Sequence, residues 1–255
     1  MRGLPFVSYQ RRRSLIVAIH QPHYLPWLRY MAKLALADTF VLLDDVQYTK
    51  NGWQNRNRIK TANGWSYLTV PVHAHVTDRI VDVRVADDRW RPRHWKSLQA
   101  AYGRAPYFQE HSAFFEGFYA SPWERLVDLN VASLEYLRSA LGLRAPLVRA
   151  SSLGVSGEGS ERLVRICKEL GATVYLSGAY AAANHLDAVA FRGSGVELAV
   201  VEWTCPTYRQ CHPKVGFLPD LSVVDLLFNE GEAARQVLLR GVRTLEPISV
   251  GGGIT

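Results

Sequence analysis

Residues 14–20, SLIVAIH, form a short β-branched apolar run that ends in a polar turn, the pattern of a buried parallel strand. The next stretch, PHYLPWLRYMAKLALAD, places Leu25, Leu28, Met31, Leu34 and Ala35 near helical spacing. Pro26 suits the first turn of that helix, where a missing N–H costs nothing. Asp38 closes the helix, and TFVLLDDV is a second apolar strand that runs into charged residues. Strand, helix and strand within about 30 residues make a βαβ unit, whose crossover is right-handed and whose ligands gather at the carboxyl ends of the strands.

Downstream, QYTKNGWQNRNRIKTANGW is polar and rich in Asn and Gly, and reads as a loop. Asn63-Gly64, lying between two aromatic segments, predicts a hairpin, and RIVDVRVAD alternates like a further strand. Helices are expected from RPRHWKSLQAAY to Gly103, and twice more before Gly142. LVRASSLGV gives a strand and turn, and GSERLVRICKELGA a helix with Ser160 as N-cap. TVYLSG and VELAVVEW are strands, and LSVVDLLFNEG is a helix capped by Ser222. The expected fold is therefore α/β: a doubly wound parallel sheet core with a helical insertion (about 90–145) and a small β excursion at 60–90. One domain is assigned to residues 15–240, between a flexible leader (1–14) and a flexible tail (241–255).

Composition narrows the function classes. Hydrophobic residues are 48% and charged residues 21% of the 255, an ordinary globular balance. The net charge of +7 and pI near 9.4 suit an anionic partner, nucleotide or nucleic acid. Part of the excess comes from Arg11, Arg12 and Arg13 in the leader. No run approaches the ~20 apolar residues of a membrane span, and LIVAI is too short for a signal segment. Cys167, Cys205 and Cys211 match no zinc spacing, so a reduced cytoplasmic setting and no metal site are expected.

The chemistry concentrates at His20-Gln21-Pro22-His23. Two histidines three apart on a turn that opens a helix can aim both imidazoles at one anion near a helix N-terminus. Asp44, Asp45 and Gln47 follow the adjacent strand and should share that edge, holding a metal-bound phosphate or a ribose. Lys50, Asn51, Trp53, Gln54, Asn55, Arg56 and Arg58 form a dense cationic and amide-rich run, read as a loop covering a ligand. Trp53 and Trp65 are candidates to stack on a sugar or base. His94, in a basic helix start, and Ser177-Gly178, ending a strand, complete the candidate binding set with Gln21. His20, His23, Asp44 and Asp45 are the candidate catalytic groups. No GxSxG, Walker loop, HExxH or GxGxxG following a strand is present, which argues against the hydrolase, P-loop and dinucleotide readings.

The runs HQPHYLPWLRY, ADTFVLLDDVQYTKNGWQNRNRIK, NGWSYLTVPV, HWKSLQAAYGRAPYF, CKELGATVYLSG and LSVVDLLFNEG closely resemble the WbqC-like protein family, over about residues 15–231. The resemblance implies a place in bacterial surface-polysaccharide or other secondary biosynthetic clusters. The order of histidine turn, helix, Ala-Asp, strand and Gln is also similar to the HxGH nucleotidyl-transfer enzymes such as pantothenate synthetase. That likeness implies ATP with Mg2+, His20 and His23 stabilising the α-phosphate, Gln47 orienting a carboxylate, and Lys50 or Arg56 balancing phosphate charge.

Three readings remain open. One is ATP- or nucleotide-dependent amide formation onto an amino sugar or related small amine. Another is transfer from a preactivated donor such as aminoacyl-tRNA. The third is a non-catalytic sugar-nucleotide-binding protein.

Overall fold

The first βαβ unit forms as its pattern dictates. In the computed structural model, which describes residues 14–75 and 77–247, β1 (Ile16–His20), α1 (Leu28–Leu36) and β2 (Thr39–Leu42) follow one another directly. Asp38 joins the two strands: its carboxylate accepts from Ile16 N–H at 2.9 Å. A hairpin of β3 (Arg56–Thr61) and β4 (Gly64–Thr69) comes next, then the short β5 (Val72–His73) and β6 (Arg84–Val85). The span from 90 to 145 holds α2 (Trp90–Tyr102), α3 (Phe108–Ala120) and α4 (Leu126–Ala140). The chain returns through β7 (Leu147–Arg149), α5 (Gly159–Glu169), β8 (Val174–Gly178), α6 (Ala179–Asn184) and β9 (Glu197–Trp203). It continues with α7 (Val223–Glu230), α8 (Ala234–Arg240) and β10 (Val242–Pro247).

The main sheet has six strands in the order β10-β9-β8-β1-β2-β7, all parallel except β10, which runs antiparallel to β9. From β1 the chain winds outward through β2 to β7. It then crosses back to β8 on the other side of β1 and winds outward again. This is the doubly wound topology, and its switch point lies between β1 and β8, where such sheets open a crevice at their carboxyl ends.

Alternation along the strands feeds two layers. Val17, Ile19, Val41, Tyr175 and Leu198 pack with Val164, Ile166, Cys167 and Phe191 on the α5 side. Ala18, Phe40, Leu42, Leu176 and Val201 pack with the larger helical layer, through Leu28, Met31, Tyr102, Phe115, Leu129 and Leu226. A sheet covered on both faces explains why these strands read as nearly continuous apolar runs.

Several expectations are corrected. Pro26 lies before the Trp27 N-cap of α1, not in the helix. RIVDVRVAD gives a 3-10 turn (Ile80–Asp82) and the two-residue β6. The hairpin is real, but its turn centres on Ala62-Asn63, because Thr61 already pairs with Gly64. Ser160 lies inside α5 and accepts from Asp187 N–H instead of capping the helix. Residues 242–247, assigned to a flexible tail, form β10, an edge strand of the main sheet. Leader residues 1–13, with their three arginines, and tail residues 248–255 lie outside the described residues.

Candidate functional site

The turn between β1 and α1 is held by side chains from three distant parts of the chain. Gln54 Nε2 donates to Gln21 Oε1 at 2.7 Å, and Tyr24 N–H donates to the Trp53 carbonyl. Asn57 Nδ2 donates to the Leu25 carbonyl at 2.7 Å, and Asn130 Nδ2 to those of Gln54 and Pro22. Ser222 Oγ donates to the Leu25 carbonyl at 2.8 Å. Leu25 itself has φ of 41°, a left-handed conformation that a leucine adopts only when its surroundings impose it. The carbonyls of Pro22, Tyr24, Leu25 and Pro26 each have a fixed donor, which holds the strained conformation in place.

Within that frame His20 and His23 lie edge to face, with ring centroids 4.6 Å apart. Tyr30 sits 4.7 Å from the first ring and 5.1 Å from the second. His20 Nδ1 is 3.2 Å from the Gln21 carbonyl, which can only accept, so the neutral ring carries its hydrogen on Nδ1 and keeps the Nε2 lone pair. His23 Nδ1 and the Tyr30 hydroxyl are buried without a hydrogen-bond partner. One turn further along α1, the buried Lys33 donates to the Ile19 carbonyl at 2.9 Å.

Burial sets the protonation of this cluster. It lowers Lys33 to about 7, and no carboxylate counters the effect. It lowers His23 to about 3, with the Lys33 charge adding to the fall, and His20 falls in the same way through burial, Lys33 and His23. Near neutral pH the cluster is thus two neutral imidazoles beside an amine close to its own titration point. A desolvated cation with no acidic neighbour is a site that an incoming anion would stabilise.

The other candidate residues are dispersed around the turn, and several of them already have partners within the chain. Ser177 and Gly178 end β8 at the same sheet edge as His20, across the switch point. Asp44 and Asp45 also reach this edge, but arginines occupy them. Asp44 is fully buried, accepting from Arg149 Nε at 2.6 Å and from Ser151 through its N–H and its hydroxyl. Asp45 is paired with Arg162. Gln47, at the surface, forms a backbone bridge with Arg79.

The run from Lys50 to Arg58 is not a single loop. Lys50 and Asn51 are exposed in a tight turn, with Asn51 at φ of 61°, and its carbonyl accepts from Arg56. Gln54 and Asn55 are buried, the former bonded to the Gln21 side chain and the latter donating to the Val70 carbonyl at 2.9 Å. Trp53, Arg56 and Arg58 stay near the surface and stack with one another's neighbours. His94 is buried against Tyr24 of the turn, its Nδ1 at 2.9 Å from the Tyr24 hydroxyl, and burial lowers it to about 4. Lys33 and Tyr30 were not visible as site residues. The available signal was a lysine and a tyrosine three apart on the apolar face of a helix.

Among the described residues, no three His, Cys, Asp or Glu side chains gather to hold a metal ion, and no helix is long and apolar enough to cross a membrane.

A family model described as the WbqC-like protein family matches residues 21–237 of the chain. An "Uncharacterized protein Rv1507c" from Mycobacterium tuberculosis (strain ATCC 25618 / H37Rv) is 33% identical over 230 residues, covering 87% of this chain and 96% of that protein. No solved structure matches.

Proposed function

This chain belongs to the WbqC-like protein family, and from that premise we propose that it is a biosynthetic enzyme that binds the anionic part of a nucleotide-activated substrate at the His20–His23 turn. The observation that carries the reading is the cluster itself. Two neutral histidines, a desolvated Lys33 and two unpartnered buried polar atoms converge at the switch-point edge, with no carboxylate among them.

The reaction this favours is amide formation onto an amino sugar or related small amine. A carboxylate oxygen attacks the α-phosphorus of ATP, the bond to the bridging oxygen breaks, and pyrophosphate leaves. The amine nitrogen then attacks the acyl carbon, AMP departs, and the nitrogen gives up a proton. In this reading His20 takes that proton on Nε2, whose lone pair is left available by the Nδ1 contact with the Gln21 carbonyl. Charge building on the α-phosphate would meet Lys33 and whichever imidazole becomes protonated as the anion enters. The residues present do not fit a resident Mg2+, because Asp44 and Asp45 are bound by Arg149 and Arg162. Any divalent ion would arrive as the counter-ion of the nucleotide.

Calorimetry with ATP and Mg2+, followed by pyrophosphate release with candidate carboxylic acids, tests the reading. Binding that His20→Ala and His23→Ala each abolish, with the fold intact, is expected. Nucleotide binding unaffected by both substitutions, or no binding at all, overturns it.

A further inference from the structure

The outer face of the β3–β4 hairpin carries a feature the histidine site does not use. Register places Arg58 opposite Tyr67, Lys60 opposite Trp65 and Arg56 opposite Thr69, so the arginines and aromatics share one side. The Arg58 guanidinium lies 5.7 Å from the Trp53 ring and 5.4 Å from the Trp65 ring. Arg56 lies 4.6 Å over Tyr67, and Trp65 meets Tyr67 edge to face at 5.1 Å. Trp53 stacks on Trp27 at 5.0 Å, and Arg29 covers Trp27 and Trp203 at 5.8 and 5.9 Å.

The result is a surface of rings and guanidinium planes, with Arg58 between Trp65 and Trp53 and Arg56 over Tyr67; beyond the Trp53–Trp27 stack it passes through Arg29 to the buried Trp203. Trp65 is 49% and Tyr67 38% exposed, a costly display for aromatic rings with no function. Among the described residues neither Arg56 nor Arg58 has a carboxylate partner, while Arg29 is 3.7 Å from Asp220.

We propose that this hairpin face binds single-stranded nucleic acid. A strand offers bases for the exposed Trp65 and Tyr67 rings and phosphates for Arg56 and Arg58 beside them. A duplex hides its base faces, and a single nucleotide offers one ring where the hairpin exposes two. A membrane surface would call for exposed aliphatic side chains beside the rings. The other large exposed hydrophobic residues among those described are Tyr180, Val189 and Leu245, none of them on the hairpin. The root of the hairpin is bonded to the histidine turn, through Trp53 to Tyr24 and Gln54 to Gln21, so a strand lying along this face leads toward that turn. The inference does not rest on the reading of the histidine site.

The test is fluorescence anisotropy of the full chain with a labelled single-stranded RNA of mixed sequence, roughly 12 nucleotides long. The same sequence as a duplex, heparin, and phosphatidylserine vesicles serve as comparators. Single strand should bind about tenfold tighter than duplex and quench tryptophan fluorescence. Trp65→Ala should weaken it about tenfold while leaving the thermal midpoint unchanged, because the ring is at the surface. Arg58→Gln should weaken it and lower the slope of affinity against salt by about 1. His20→Ala should leave RNA affinity intact, which separates this result from failure of the nucleotide site. Equal affinity for single strand, duplex and heparin with no effect of Trp65→Ala, binding to vesicles alone, or no binding to any probe overturns the proposal.

Discussion

Lys33 Nζ lies 2.9 Å from the Ile19 carbonyl, so α1 sets an ammonium against the strand residue that precedes His20. A buried cation with a single neutral acceptor is a poor structural device, since an apolar side chain of similar volume would fill the space without desolvating charge. Lys33→Met is therefore expected to hold or raise stability, by up to ~2 kcal/mol near pH 6, and to abolish nucleotide binding. Thermal denaturation and calorimetry on one preparation check both. A destabilised variant that still binds would assign Lys33 a structural role.

Anion binding should also move protons. Lys33 titrates at about 7, so at pH 8 most of it is neutral in the free protein. A phosphate beside it favours the charged form and raises that value, so protons are taken up on binding. Binding heats measured at pH 8 in buffers of differing ionisation enthalpy should report uptake of a fraction of a proton. Proton release would contradict the placement of the anion.

Asp225 gives a pH dependence of stability independent of the site. Burial raises its carboxyl to about 6, against partial compensation by hydrogen bonds from Tyr208, Tyr102 and Gln210. The folded chain therefore keeps a proton that the unfolded chain has released. The stabilisation is complete below the ordinary value of 3.8 and is lost as pH rises through about 6. Asp225→Asn should remove this slope and gain on the order of 2 kcal/mol over wild type above pH 6. His23, lowered to about 3, acts in the opposite sense: stability falls as pH drops from 6.5 toward 3, and His23→Gln should lessen that acid loss. Urea denaturation at a series of pH values separates the two.

Asp44 and Asp45 should part company on mutation. Asp44→Ala removes three hydrogen bonds and leaves Arg149 with only the exposed Asp128, for a loss of about 2 kcal/mol, read in urea midpoint. Asp44→Asn retains much of the geometry and should retain activity in proportion to its stability. Loss of turnover in a stable Asp44→Asn protein would return the carboxylate to the chemistry.

What the sequence disclosed was local. The β1-α1-β2 unit, the hairpin, the helices of 90–140 and the Ser222 cap follow from periodicity and turn residues within a few positions of each other. The histidine pair was evident because its spacing is local too. What stayed hidden depends on partners far along the chain. Asp44 and Asp45 looked available until Arg149 and Arg162, more than a hundred residues away, occupied them. Gln54 and Asn55 read as ligand contacts because a run of amides has the same letters whether it faces a substrate or bonds the chain's own Gln21 and Val70. Lys33 was masked by its helix, where a lysine among Met31, Ala32 and Leu34 carries no mark of burial.

The donors that fix the histidine turn have a consequence for biogenesis. Pro22 waits for Asn130, and Leu25 waits for Ser222, before its carbonyls are all met. On a ribosome, β1 and α1 emerge early, yet the strained leucine between them cannot be locked until some two hundred further residues have been translated. The reactive corner is then among the last parts of the molecule to reach its final shape, and a nascent chain stalled before residue 222 would expose histidines in a turn that has not closed.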